Sequence, residues 1–166
     1  MPISAVIGRR EIMDALPSPL AVFTHGGHAL CASAAIANIE FTLKNRLAER
    51  AGEMGNLAMA RLRELSREHK MMGDIRGRGV MIGVDITKSD GSPDKKSALK
   101  VCYAAWKRGL LLITFGKHGN VLRVAPPLII EKDELIGGIE IIEDCVKDVE
   151  QNLVSDTTVE NLRGWG

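Results

Sequence analysis

Between residues 47 and 65 the apolar side chains Leu47, Ala51, Met54, Ala58, Leu62 and Leu65 return at three- and four-residue steps, while Arg, Glu and Asn fill the positions between them. That period draws one apolar stripe along an amphipathic helix, and such a helix needs an apolar layer to lie on. The residues that follow supply the layer. "DIRGRGVMIGVDI" (74–86) reads as two short extended pieces pivoting on Gly77 and Gly79, with alternation clearest in "VMIGVDI". Beyond the turn "SDGSPD" a second helix is expected, with Pro93 at its first position, Lys107 and Arg108 in its last turn and Gly109 as a left-handed cap. "LLLIT" (110–114) and "NVLRVAP" (120–126) read as two more strands, joined by "FGKHG" and entered through a turn at Gly119 and Asn120. A final helix, about 131 to 152, opens on Glu131, Asp133 and Glu134, where the helix dipole favours anions, and carries the stripe Leu135, Ile139, Ile142, Val146 and Val149. Helix, two strands, helix, two strands, helix predicts an α+β fold, with helices over a small, mostly antiparallel sheet.

The first residues fit that pattern poorly. "ISAVI" (3–7) reads as a short strand closed by Gly8, "RREIMDAL" (9–16) as a brief helix stopped by "PSP" (17–19), and "FTHGGH" (23–28) as loop. From Ala29 an alanine-rich helix follows, with Ile36, Ile39 and Leu43 on one face and small residues suited to close packing. The expected organisation is therefore residues 1–28 as the end of a different domain, and 29–153 as the α+β domain, with 29–45 as a linking helix. Residues 154–166 are expected to be a weakly patterned, fraying tail.

Composition narrows the function. A net charge of +1 gives no electrostatic footprint for nucleic acid or an anionic membrane, and "RGRG" at 76–79 is too isolated to change that. No apolar run approaches the roughly 18 residues a membrane helix requires, and no signal peptide is read at the start. Cys31, Cys102 and Cys145 are odd in number, far apart and set among apolar or small residues, so they read as buried thiols of a reducing cytoplasm. His25 and His28 are separated by Gly26 and Gly27, which argues against a regular helix holding a metal, and no metal site is predicted. Gly77 and Gly79 read as a pivot, since "GRG" is too short for a phosphate loop.

One residue stands out. Arg123 lies between Leu122 and Val124, just before Pro126 and Pro127, in a run that otherwise reads as buried strand. A guanidinium buried there would cost several kcal/mol without a counter-ion. The residues alone leave two readings open: an internal salt bridge, to Asp85 or Glu131 for example, or a carboxylate that is not part of the protein.

Four segments together, "MPISAVIGRREIMD", "FTHGGHALCASAAIANI", "GDIRGRGVMIGVDI" and "GLLLITFGKHGNVLRVAPPLII", resemble the C-terminal part of class III aminotransferases, fold-type I pyridoxal-phosphate enzymes of the 4-aminobutyrate and ω-amino acid kind. The likeness runs to about Leu153. It implies that residues 1–28 are a remnant of the large cofactor-binding domain and that the α+β part is the small C-terminal domain. It implies that Arg123, in a "LR-x-x-PPL"-like strand, grips the carboxylate of an amino acid or 2-oxo acid, as a planar fork of donors can. It implies that Thr24 binds the cofactor phosphate of a neighbouring subunit, hence a homodimer, although a loop threonine without a ligand is the plainer reading of that residue. Many relatives carry Asn-Pro where this chain has His28 and Ala29, which leaves the local loop geometry open. The family's cofactor-anchoring lysine would precede Met1, and Lys44 and Lys95 lie in polar helical or turn patterns that make them poor substitutes. No catalytic residue is therefore expected here, and the chain alone is expected to be inactive. A racemase or epimerase of the same family, and a non-catalytic carboxylate- or partner-binding domain, remain as alternatives.

Overall fold

The computed structural model describes residues 1–15, 17 and 23–162, and these divide into two compact units, Met1–Arg46 and Leu47–Gly166. In the second, α3 (Leu47–Glu68) leads into the hairpin β1 (Met72–Arg78) and β2 (Met81–Ile86), then α4 (Lys95–Lys107), β3 (Ile113–Phe115), β4 (Val121–Val124) and α5 (Lys132–Glu150). The strands form one sheet in the order β1-β2-β4-β3, and every neighbouring pair is antiparallel. The α+β architecture expected from the sequence is present.

Alternation decides which face of the sheet meets the helices. Ile82, Val84 and Ile86 of β2, with Leu122 and Val124 of β4, point into a core shared with Ala58, Leu62 and Leu65 of α3, Val101 and Ala105 of α4, and Ile139, Ile142 and Val146 of α5. Residues of opposite parity, Met81, Ile113 and Arg123 among them, stay exposed on the other face. The sheet is thus covered on one side only within this unit. The stripe read along α3 is the buried one, with Leu47, Ala58, Leu62 and Leu65 buried and Ala51 and Met54 half-buried.

A backbone contact seats the hairpin on α3. A methyl group added at Gly55 would lie 2.2 Å from the carbonyl oxygen of Gly79, so the helix and the turn approach with no side chain between them. Gly79 itself turns through a left-handed conformation, φ +56°, which glycine adopts without steric cost. The pivot expected at Gly77 and Gly79 falls on Gly79 alone, because Gly77 stays within β1, paired with Ile82 of β2.

Several boundaries differ from expectation for local reasons. Pro93 precedes the cap of α4, which is Asp94: its carboxylate accepts from the Ser97 amide at 3.0 Å, and an Asx cap sets the helix start more firmly than proline. Gly109 takes the expected left-handed conformation, φ +82°. In place of strand over all of 110–114, β3 is confined to Ile113–Phe115, the residues that face β4. α5 begins at a reciprocal capping box between Glu131 and Glu134. Residues 154–162 do not fray. Val154 and Val159 are buried, and Asp156, at the start of a 3-10 turn (Asp156–Thr158), pairs with Lys96 and with Lys100 Nζ at 2.5 Å. Two isolated valines and one charge pairing carry no periodic signal in the sequence, yet they tie this segment to α4.

In the first unit, α1 spans Arg10–Met13 and α2 spans Ala29–Lys44. The expected helix end at Leu16 and the stop at Ser18 and Pro19 lie outside the described residues, as does the tail beyond Leu162. Residues 3–7 form no strand; among the described residues no extended segment pairs with them, and a strand without a partner leaves its amides unsatisfied. No residue of α2 is buried: Leu30, Ile36, Ile39 and Leu43 are 60%, 57%, 56% and 72% exposed. No helix among the described residues is long and apolar enough to cross a membrane.

Two outcomes test this packing. Gly55→Ala is expected to lower the unfolding free energy by about 1–3 kcal/mol through overpacking, whereas Gly52→Ala, with no atom within 4 Å, should raise it by about 0.5–1 kcal/mol through helix propensity. Denaturant melts of the two variants measure both signs. Lys100 and Lys96 hold the Asp156 carboxyl below its ordinary value of 3.8. A depressed carboxylate stabilises the fold above that value, and its contribution is lost as pH falls through the lower, folded value. The protection of amides at 154–162 against exchange, relative to the unstructured rate at the same pH, is therefore expected to fall only below about pH 3.8, and to be low at neutral pH in Asp156→Asn.

Candidate functional site

Arg123 sits in the middle of the sheet. Its neighbours across the ladder are Gly83 on β2 and Ile113 on β3. Leu122 and Val124 on either side are drawn into the core, so the two-residue period turns Arg123 to the uncovered face. The cation that looked buried in the sequence is exposed, and the desolvation cost expected for it does not arise. Gly83 places no side chain beside it. On the other side the guanidinium carbon lies 5.1 Å from the centre of the Phe115 ring, a cation–π contact that steadies the side chain without neutralising it.

The two internal counter-ions considered from sequence are engaged elsewhere. Asp85 Oδ1 is 2.9 Å from Arg76 Nη1, and Glu131 Oε1 is 3.1 Å from Arg50 Nη2. No carboxylate among the described residues forms an ion pair with Arg123. Its planar fork of donors is open to an outside anion. Arg123 also lines a groove of about 430 Å³ between the edge strand and α5, whose other walls are largely apolar (Leu111, Ile113, Pro126, Ile139) and include Glu134.

Arg76 was not singled out in the sequence. It faces Gly83 from β1, so it stands on the same side of the sheet as Arg123, one strand further on. Unlike Arg123 it is neutralised: Asp74 and Asp85 hold its side chain and raise its pKa. The pairing register distinguishes these two arginines; composition does not.

Thr24 belongs to the first unit. It opens a turn over 24–27, in which the Gly26 amide donates to Phe23 O at 2.9 Å and the His28 amide to His25 O at 3.2 Å. Thr24 is exposed and stands just before α2, whose N-cap residue, His28, provides no side-chain cap and whose first turn holds no acidic residue. The N-terminal amides of α2 are thus free of any competing carboxylate. His25 and His28 lie edge to face, with ring centres 6.2 Å apart.

The thiols of Cys102 and Cys145 are poor nucleophiles in this setting. Burial pushes the Cys102 thiol up to about 12 and raises Cys145 as well, and the reactive form of cysteine is the thiolate. All three cysteines are free.

Comparison with known proteins agrees with this architecture. The family model "Aminotransferase class-III" matches residues 1–146. A leucine/methionine racemase of Thermococcus litoralis is 41% identical over 167 residues, which cover 99% of this chain and 37% of the racemase. A 4-aminobutyrate aminotransferase of Mycobacterium leprae is 36% identical over 149 residues, 89% of this chain and 33% of that enzyme. Among solved structures, a transaminase from the marine bacterium Virgibacillus superposes with a TM-score of 0.77 at 26% identity, covering 86% of this chain and 33% of that one. The chain thus spans about a third of the length of the relatives it matches.

Proposed function

The chain belongs to the class-III aminotransferases, and from that premise we propose that it forms the substrate-carboxylate side of a pyridoxal-phosphate enzyme acting on amino acids and 2-oxo acids. The observation that carries this reading is Arg123: a guanidinium exposed on the bare face of a sheet, steadied by Phe115, with both candidate counter-ions committed to other arginines. A bidentate pair with a carboxylate fixes direction as well as charge. The strand holds the guanidinium in place, so the substrate is oriented before any bond changes.

The residues before α2 fit the phosphate end of the cofactor. Thr24 offers a hydroxyl, and the uncapped start of α2 offers amides and the positive end of a helix dipole. Thr24 would hold the phosphate, in the same subunit or a neighbouring one. Pyridoxal phosphate, when bound, supplies the electron sink that lets a bond at the amino acid's Cα break. Arg123 offers hydrogen-bond donors only. It binds and orients.

A racemase or epimerase is the second reading, and identity supports it. The racemases and the isoleucine 2-epimerase match at 41%, 40% and 34%, the aminotransferases at 34% to 37%. Both reactions need the same carboxylate grip. We assign the exposed apolar surface of α2 to contacts within a homodimer or with the rest of the enzyme, and the protein to the cytoplasm. Residues 1–28 are taken as part of a large domain, 29–153 as the small domain with 29–45 linking them, and 154–166 as its C-terminal segment. The chain by itself is expected to be inactive.

The decisive assay uses the cofactor-loaded enzyme that contains this chain, followed for 2-oxo-acid-dependent amino transfer and for racemisation of the free amino acid. Arg123→Ala is expected to lower kcat/KM for amino acids about 100- to 1000-fold in whichever reaction is observed, the loss of roughly 3–4 kcal/mol for a bidentate charged pair. Activity on an amine without a carboxylate should change little. Equal losses on both substrates would remove Arg123 from carboxylate binding. In sedimentation, the isolated 18.0 kDa chain is expected to self-associate through its apolar first unit; a clean monomer at high concentration would contradict that.

A further inference from the structure

His69 follows the last residue of α3 and is 6% exposed. Its Nδ1 lies 2.8 Å from Glu150 Oε2, while Nε2 is buried and has no hydrogen-bond partner. Glu150 therefore occupies Nδ1, and Nε2 is the ring nitrogen left without a partner. A buried polar atom without a partner is costly, and this one is in unusual company. Glu68, on the last turn of α3, and Glu143, on α5, each offer a carboxylate oxygen to His69, and the three donor atoms lie within 4.8 Å of one another. With Nδ1 taken by Glu150, the atom His69 has left to offer is Nε2. Neither carboxylate can donate to it. A cation held among them would satisfy all three at once.

We propose that Glu68, His69 Nε2 and Glu143 form a site for a divalent transition ion of the zinc class, which clamps the end of α3 to α5. One imidazole and two carboxylates are a ligand set that zinc accepts, with water completing the shell. The Glu150 carboxylate on Nδ1 is the partner that metal-bound histidines generally have: it fixes the tautomer and raises the basicity of the ligating nitrogen. Binding at about 2.0–2.2 Å requires the donors to draw in, and Glu68 is exposed and free to move. Glu143 at present carries Arg61 Nη2 at 3.1 Å and Lys147 Nζ at 2.5 Å. The Lys147 side chain is 44% exposed and can swing into water as the ion enters, while Arg61 remains on the second oxygen. Three carboxylates (Glu68, Glu143, Glu150) then face the ion and Arg61.

The full chain carrying His25→Ala, His28→Ala and His118→Ala retains His69 as its single imidazole, which removes the competing histidine pair before α2. Calorimetric titration of this protein with zinc chloride at neutral pH is expected to show one saturable ion per chain in the micromolar range, and cobalt chloride should give the visible bands of a nitrogen- and oxygen-ligated ion. Glu68→Gln and Glu143→Gln, which keep side-chain size, should each weaken both by tenfold or more, with Glu64→Gln unchanged. The ¹⁵N resonance of His69 Nε2 should shift on zinc addition in the parent protein only. No saturable binding up to millimolar zinc, or binding that Glu68→Gln and Glu143→Gln leave intact, overturns the proposal, the second result showing an adventitious ion only.

Discussion

One-sided burial of the sheet is the constraint from which the candidate site follows. Leu122 and Val124 are held in a core built with α3, α4 and α5, and a strand with period two must then send the residue between them to the other face. Arg123 is exposed because its neighbours are buried. A slip of one residue in the pairing of β4 would bury the guanidinium and expose both apolar residues. The register with Gly83 and Ile113 is therefore fixed by hydrophobic burial, and the direction of the cation comes with it. The close approach of Gly55 to Gly79 helps hold the β1–β2 hairpin, and through β2 the rest of the sheet, against α3.

The bare face explains why an exposed arginine is more than surface charge. Two arginines share it, Arg76 and Arg123, on either side of Gly83. Arg76 is closed off by Asp74 and Asp85, and that same arrangement keeps Asp85 from Arg123. Among the described residues the fold thus leaves the Arg123 guanidinium without a carboxylate partner on the exposed face of the sheet. The use proposed for that surface is to hold the carboxylate that amino acids and 2-oxo acids share whatever their side chains.

Local pattern made much of this legible. The stripe from Leu47 to Leu65, the alternation in "VMIGVDI" and the stripe from Leu135 to Val149 each predicted the element now seen, since burial on one face writes a period into the sequence. Where structure depends on contacts between distant residues, the pattern was silent or misleading. "ISAVI" has a strand's composition but no strand partner among the described residues. Ile36, Ile39 and Leu43 mark a face of α2 that nothing in its own unit covers. Val154 and Val159 are buried although no repeat announces them. Arg123 was recognisable as unusual, yet only the register showed that it is exposed and that Asp85 and Glu131 are occupied elsewhere. The grouping of Glu68, His69 and Glu143 was invisible for the same reason: two helices far apart in sequence bring it together.

The central claim is that Arg123 meets a guest carboxylate. The most direct measurement is a crystal structure of the cofactor-loaded enzyme with a 2-oxo acid bound. The account predicts two hydrogen bonds between the Arg123 guanidinium and the ligand carboxylate, with Arg76 still on Asp74 and Asp85. A ligand carboxylate held by other groups, while Arg123 turns to a side chain of the protein, would contradict it.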